Sequence, residues 1–261
     1  MFDFHIHSSL SFDSDTPAED IAKAAVSAGL REICFTDHWD YFPRPTDPHS
    51  LFSLDEYSSV YDGLCVDGLT IRRGVEMGLN EWNMQDCEAL LRQRPFDFVI
   101  GSVHFADGYD PYDKEFWEGR SAEEAYMSYL EKTYECVKLH NNFDVLGHLT
   151  YVCKSPNNPY RTALEYKDYR EIADEIMRVL VKNGKGMEIN TSGIDRGVGF
   201  LPSLDYIRRF KELGGEIVTV GSDAHDATRV GQYCDEVITK LKDIFGYVCT
   251  FEGRQPVFHK L

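Results

Sequence analysis

Six of the nine histidines in this 261-residue chain follow short apolar runs, and two of them fall within the first seven residues. Phe2-Asp3-Phe4-His5-Ile6-His7 alternates apolar and polar with period two. In a strand that places both imidazoles on the same side. The pattern recurs along the chain. Ile33-Cys34-Phe35-Thr36-Asp37 runs into His38, Phe98 to Val103 into His104, and Asp144-Val145-Leu146-Gly147 into His148. Ile217 to Ser222 runs into Asp223-Ala224-His225. Residues at the exits of successive parallel strands converge on the functional rim of a barrel. Neutral imidazoles gathered there hold transition metals.

Seven segments read as strands, near residues 2–7, 32–37, 70–76, 97–103, 144–148, 186–190 and 216–222. Helix signals lie between them. Thr16-Pro17-Ala18-Glu19 predicts a helix start with Thr16 as N-cap and Gly29 as the stop. Ser121-Ala122-Glu123-Glu124 has the form of a capping box that opens a helix ending near Leu139. Tyr169 to Leu180 and Ser203 to Leu213 carry apolar residues at helical spacing, closed by Gly184 and Gly214. Strand–helix alternation of this kind predicts a parallel α/β fold with right-handed crossovers. An open sheet alternates in the same way, but only a closed barrel brings all strand ends to one axis. Tyr41 to Ser53, with Pro43, Pro45 and Pro48, and Val152 to Arg161, with Pro156 and Pro159, follow ligand strands. Both are expected to be rim loops.

Lysine and arginine number 27 against 44 aspartates and glutamates, a formal charge of −17. Nucleic-acid backbones are held by basic stripes, so this balance argues against them as partners. It suits a cationic small substrate. No apolar run approaches the roughly 20 residues of a membrane span. Asp3, His5 and His7 fall where a signal peptide would need its apolar core. Seven cysteines without a CxxC pair are expected to be reduced thiols. The expectation is a cytoplasmic protein with no membrane or nucleic-acid partner. No feature of the sequence specifies an oligomeric state.

Three carboxylates extend the histidine set. Asp13 follows His7 in a serine-rich turn, Glu76 ends the run Thr70 to Val75, and Asp223 ends the last strand. Singly, a strand-end histidine is an ordinary hydrogen-bonded residue, an aspartate after serine is a turn or cap residue, and a mid-chain glutamate is solvated. Together, nine candidates at strand exits predict a polynuclear metal site: His5, His7, Asp13, His38, Glu76, His104, His148, Asp223 and His225. The remaining His49, His140 and His259 are read as ordinary.

His5-Ile6-His7-Ser8, Thr36-Asp37-His38, Gly74-Val75-Glu76, Gly101-Ser102-Val103-His104, Gly147-His148 and Gly221-Ser222-Asp223-Ala224-His225 resemble the motifs of the polymerase-and-histidinol-phosphatase (PHP) family. The resemblance covers almost the whole chain and implies a single PHP metallophosphoesterase domain over residues 1–261, folded as a distorted (β/α)7 TIM-like barrel. Ser11-Phe12-Asp13-Ser14, Glu188 to Gly193 and Phe251-Glu252-Gly253-Arg254 resemble the histidinol-phosphatase branch. The family pattern implies three divalent or mixed-valence metal ions, zinc foremost with iron or manganese as alternatives. His5, His7, Glu76 and Asp223 would hold the first ion. Glu76, as a bridge, with His104 and His148 would hold the second, and Asp13, His38 and His225 the third. Asp13 stands where some relatives have histidine, which makes that site harder.

Metals bridged by a carboxylate supply a nucleophile at neutral pH and neutralise phosphoryl oxygens, the two things a phosphate monoester needs for hydrolysis. Glu76, Asp223 and His225 are the expected catalytic residues, with Asp223 or a metal-held water as proton donor to the leaving group. Arg161 and Arg196, on rim loops, match phosphate with a guanidinium fork, and Asn190 at a strand end is a candidate to orient substrate. The expected reaction is hydrolysis of a small phosphorylated metabolite, L-histidinol phosphate foremost, in histidine biosynthesis. The alternatives are a PHP phosphatase for another small metabolite or a phosphopeptide, a metal-dependent nuclease, and a non-catalytic metal-binding barrel.

Overall fold

The computed structural model describes residues 1–42 and 50–261. Its first half carries β1 (Phe2–Ile6), α1 (Ala18–Ser27), β2 (Glu32–Phe35), β3 (His38–Asp40), β4 (Ser50–Leu51), α2 (Leu54–Tyr61), β5 (Thr70–Gly78), α3 (Met84–Gln93) and β6 (Phe98–Ser102). Then come α4 (Ala122–Leu139), β7 (Val145–Leu146), α5 (Arg170–Lys182), β8 (Gly186–Asn190), α6 (Leu204–Glu212), β9 (Val218–Gly221), α7 (Cys234–Leu241), β10 (Tyr247–Glu252) and β11 (Gln255–Lys260). The strands β1-β2-β5-β6-β7-β8-β9 pair in that order and all in parallel. The sheet nearly closes on itself where Ile6 bridges Ala224: Asp223 N–H donates to His5 C=O at 2.8 Å and His7 N–H to Ala224 C=O at 2.9 Å. The fold is an α/β TIM-like barrel of seven strands, with every strand in its expected place.

Local chemistry accounts for most element ends. Ser121 and Glu124 form the reciprocal capping box of α4. Gly29, Gly184 and Gly214 follow their helices with φ of +75°, +65° and +98°, where a side chain would be strained. Thr16, expected as an N-cap, is not one: α1 is preceded by Pro17 without a side-chain cap. Thr16 is tied into the turn that carries Asp13, its C=O accepting from Ser9 N–H at 2.8 Å and its N–H donating to Ser14 Oγ at 3.4 Å. Of the proline-rich stretch after β3, Pro43, Pro45, Pro48 and His49 lie outside the described residues.

The barrel interior is divided along its axis. At the end where the strands begin, Phe4, Cys34, Phe98, Ile100 and Val145 form an apolar layer, and Phe251 of the β10–β11 hairpin closes it from below. The Phe251 ring lies 4.8 Å from that of Phe98. Arg254, at the hairpin turn, reaches Asp144 Oδ2 at 2.5 Å, and its N–H bonds Asp97 C=O at 2.8 Å. A register shift between Asp3 and Ile6 of β1 lets Phe4 join this layer while His5 turns its ring to Glu188 at the opposite end. Gly221 has no room for a side chain, because a Cβ there would stand 2.3 Å from His5 Cβ. A larger apolar core lies between the strands and the helices. All seven cysteines are free thiols, and among the described residues no helix is long and apolar enough to cross a membrane.

The plug predicts a separation of stability from metal binding. Phe251→Ala removes a large buried ring and is expected to destabilise the protein by ~3–5 kcal/mol. Chemical denaturation should show a lower midpoint with metal content unchanged at the opposite end of the barrel. A loss below about 1 kcal/mol would assign the hairpin a peripheral role.

Candidate metal centre

β2 pairs with β5 only as far as Arg73; beyond that point β3 takes over, with His38 in register with Glu76. This crossing puts the Glu76 carboxylate on the barrel axis, fully buried. Imidazoles surround it. Oε1 lies 2.8 Å from His148 Nε2 and 3.2 Å from His104 Nε2. Oε2 lies 3.1 Å from His5 Nε2, 3.1 Å from His38 Nδ1 and 3.5 Å from His7 Nε2. Asp223 Oδ1 is 3.7 Å from His5 Nε2 and 3.4 Å from His7 Nε2. On the outer side Asp13 Oδ2 is 3.6 Å from His38 Nε2 and 3.0 Å from His225 Nε2.

All nine residues singled out as ligands therefore meet at one rim. Ligand atoms lie within 4.8 Å of one another in His7, Asp13, His38 and His225, in His5, Glu76 and His148, in His5, His7 and Asp223, and in His38, Asp40 and His104. Asp40 is an addition. Its Oδ2 stands 3.1 Å from both His38 Nδ1 and His104 Nδ1, and Gly78 leaves it space, since a Cβ there would overlap its carboxylate at 1.5 Å.

The donor set fits metal ions. His5 Nε2, His7 Nε2, His38 Nδ1 and Glu76 Oε2 are buried and make no hydrogen bond among the described residues, although they face one another at 3.1–3.5 Å. Buried polar atoms that converge without donating to each other are arranged as ligands are around a cation. Other ring nitrogens are held by the protein. His5 Nδ1 bonds Glu188 Oε1 at 2.6 Å, His7 Nδ1 bonds Ser11 Oγ at 3.0 Å, and His225 Nδ1 bonds Asp223 C=O at 2.9 Å. Ser11 Oγ donates to Asp37 Oδ1 at 2.9 Å, and Asp37 also accepts from Ser8 N–H and the Tyr61 hydroxyl. Glu188 also accepts from His148 N–H at 2.8 Å, so it fixes two candidate ligands. Such partners orient a ligating imidazole and set its tautomer. Burial, with His225 and His38 nearby, pushes the His7 imidazole well below its usual range; burial also lowers His148. Both are held neutral, as ligation requires.

Phosphate recognition was expected at Arg161 and Arg196 and substrate orientation at Asn190; the structure adds a buried cation at the centre, Lys154. Its Nζ bonds Asp223 Oδ2 and reaches Ser192 Oγ at 3.1 Å. Burial opposes the charge on both partners, but each holds the other ionised, Lys154 above and Asp223 below its usual range. A cavity of about 410 Å³ beside the cluster is lined by Asp13, Lys154, Ser192, Arg196, Asp223 and Arg229 among others. Arg196 thus reaches the site. Arg161 is exposed, in a left-handed conformation at φ +48°, and lines a smaller adjoining cavity with Lys154 and Arg196. Asn190 is fully buried and lines neither cavity: its Nδ2 donates to Asp223 Oδ2 and Glu188 Oε2, each at 3.3 Å, and its Oδ1 accepts from Ser192 N–H at 2.9 Å. That network holds Asp223 and Ser192 in place, so Asn190 acts on the site from behind it.

A family model described as PHP domain matches residues 3–192. Histidinol-phosphatase of Lactococcus lactis subsp. lactis (strain IL1403) is 34% identical over 257 residues, covering 96% of this chain and 94% of that protein. The crystal structure of the histidinol phosphate phosphatase of the same organism, complexed with zinc, L-histidinol and phosphate, superposes with a TM-score of 0.89 at 33% identity over 98% of each chain. The structures of YwqE from Bacillus subtilis and CpsB from Streptococcus pneumoniae, metal-dependent tyrosine phosphatases, share the fold: TM-score 0.52 at 16% identity, over 94% of this chain and 88% of that one.

Removing Glu76 takes away the group on which five imidazoles converge. Glu76→Ala is expected to lose more than one equivalent of bound metal by elemental analysis after reconstitution. Glu188→Gln, which disturbs the support of His5 and His148 and the contact with Asn190 without removing a ligand, is expected to weaken metal affinity by about 10–100-fold. Full metal content in Glu76→Ala would remove this residue from the ligand set.

Proposed function

Because the chain belongs to the PHP domain family, we propose that it hydrolyses L-histidinol phosphate to L-histidinol and inorganic phosphate, a step of histidine biosynthesis. It is a phosphoric monoester hydrolase. The observation that carries the substrate is the likeness, over nearly all of both chains, to the lactococcal enzyme whose crystals hold zinc, L-histidinol and phosphate. Residues 1–261 act as one catalytic domain, and free thiols throughout suit the reducing cytoplasm.

We assign three ions to the rim, zinc foremost, with iron or manganese as alternatives at the harder Asp13 site. His5, His7, Glu76 and Asp223 hold the first, Glu76, His104 and His148 the second, and Asp13, His38 and His225 the third. Bound there, divalent ions supply a nucleophile at neutral pH and offset the charge of the phosphoryl oxygens. The chain's own groups do the rest. Lys154, held ionised by Asp223, presents a buried ammonium to the phosphoryl oxygens from the cavity wall. Arg196 supplies a guanidinium fork from the same cavity, and Arg161 supports it from the adjoining one. Three donors reach Asp223 Oδ2, from Lys154, Asn190 and Ser192, so Asp223 is kept as a proton acceptor. His225, part-exposed at the cavity wall, stands where the reacting group enters.

A panel of phosphorylated metabolites assayed by phosphate release, with metal content measured in parallel, tests this reading. L-Histidinol phosphate is expected to be the best substrate and chelation to abolish turnover. Good turnover of another ester with none of L-histidinol phosphate would remove the substrate and leave the chemistry. Lys154→Met is expected to lower kcat/KM about 10- to 150-fold, the worth of one charge-assisted contact, with kcat falling as well as affinity if the contact tightens in the transition state.

A further inference from the structure

Two cavities meet at the ligand cluster, and their chemistry differs. The cavity of about 410 Å³ carries Lys154, Arg196 and Arg229. The other, of about 360 Å³, is walled by Phe12, Phe42, Phe105, Tyr112 and Tyr151 and carries Asp110. Asp13, Tyr112, Lys154, Asp223 and His225 line both, so a molecule bound across the cluster extends into each. A phosphoryl group belongs with the cations. The group it is esterified to then lies among the aromatic rings.

The carboxylates lining the aromatic cavity are not equivalent. Asp13, Asp40 and Asp223 face histidines, and Asp223 also holds Lys154. Asp110 faces neither a histidine nor an ammonium at ion-pair distance among the described residues. Its Oδ1 accepts from Tyr112 N–H at 2.8 Å and from the Tyr151 hydroxyl at 3.1 Å. No described residue donates to its other oxygen. Burial pushes this carboxyl up to about 6, against those two donors. At neutral pH it is an ionised group in surroundings that solvate it poorly, a place where an incoming cation is favoured. The position is also fixed relative to the reacting centre. The Tyr151 ring packs 5.2 Å from the His104 ring and 5.1 Å from the His148 ring.

Resting on L-histidinol phosphate as substrate, we propose that Asp110 is the specificity-determining residue that binds the primary ammonium of the leaving group, so that the enzyme selects phosphate esters of cationic alcohols. The ammonium meets Oδ2 while Oδ1 stays on Tyr112 and Tyr151, and the leaving group's ring lies against the aromatic walls. A net charge of −17 adds long-range attraction for a cation.

The test is steady-state kinetics of Asp110→Asn, which keeps an acceptor for Tyr112 and Tyr151 and removes the charge. L-Histidinol phosphate is compared with p-nitrophenyl phosphate, whose leaving group has no ammonium. The expected result is a fall of about 10- to 100-fold in kcat/KM for L-histidinol phosphate, carried mostly by KM, with p-nitrophenyl phosphate unchanged. The inhibition constant of L-histidinol should rise by a similar factor. Equal losses on both esters, or no loss on L-histidinol phosphate, would overturn the proposal while leaving the substrate in place. The wild-type enzyme gives a second reading that does not depend on the variant's folding. It is expected to cleave the N-acetylated ester at least 10-fold less efficiently than the parent, and equal efficiency would also overturn the proposal. Wild-type enzyme that cleaves p-nitrophenyl phosphate but not L-histidinol phosphate would end the substrate reading itself, and the ammonium site with it.

Discussion

A carboxylate on the axis of a protein barrel is expensive unless it is surrounded, and the rest of this structure follows from how Glu76 is surrounded. It is fully buried, where an isolated charge would cost many kcal/mol. The nine residues of β5 are needed to reach that point: its first part pairs with β2, its last with β3 and β6. His38 is brought alongside by strand register, and His5, His7, His104 and His148 arrive from other strand ends. The ends of strands in a closed parallel sheet converge on one axis, and that convergence is what brings five imidazoles to one oxygen pair here.

The charge balance around this point explains why the site suits cations. Asp40, Glu76, Glu188 and Asp223 are buried at the rim, and Lys154 is the cation buried beside them. His7 and His148 are held neutral, whereas the carboxylates facing His5, His38 and His104 draw those imidazoles toward the charged form against their burial, in the positions from which ligands would face a cation. Metal ions restore the balance, and the coupling makes metal binding part of the stability of this end of the barrel. The opposite end has no such debt. Phe4, Cys34, Phe98, Ile100, Val145 and Phe251 fill it with apolar volume alone. Structure and chemistry are thereby assigned to different halves of the same strands. The register shift in β1 is the local device that lets one strand serve both, with Phe4 in the plug and His5 in the cluster.

Legibility in the sequence follows the same division. Residues that end strands and bear metal-binding groups stood out because period-two alternation and apolar runs mark each strand exit. Thus His5, His7, His38, His104, His148, Glu76 and Asp223 could be placed from pattern alone. The supporting groups could not. Glu188 lies on the same face of β8 as Asn190, two residues on, yet a glutamate inside a short strand has no mark that separates it from a solvated one. Asp40 needed the pairing of β3 with β5, a contact between segments far apart in sequence. Lys154 lies in a segment read from sequence as a rim loop; the structure makes it the last residue of a buried 3-10 turn, Tyr151–Lys154, and only that tertiary burial turns the lysine into a fixed ammonium. Arginines drew the first expectation because a guanidinium is the usual partner of phosphate. The structure brings Arg196 to the cavity but leaves Arg161 one cavity away.

Asn190 shows what a strand end can do when it carries no ligand. Its amide donates to two carboxylates and accepts from a backbone N–H, so it is saturated and has nothing left for a substrate. What it does supply is rigidity. Asp223 must turn one oxygen toward His5 and His7 and the other toward Lys154, and a carboxylate free to rotate would lose one of the two. Donors from Asn190 and Ser192 on the Lys154 side fix that rotation. The same aspartate then serves both the metal ligands and the phosphate-binding ammonium. Any movement of the strand carrying it would couple loss of metal to loss of substrate binding, and the exit of β9 is itself held by the neighbouring strand. There Ser222 N–H and Oγ both bond the buried Asp3 of the neighbouring strand.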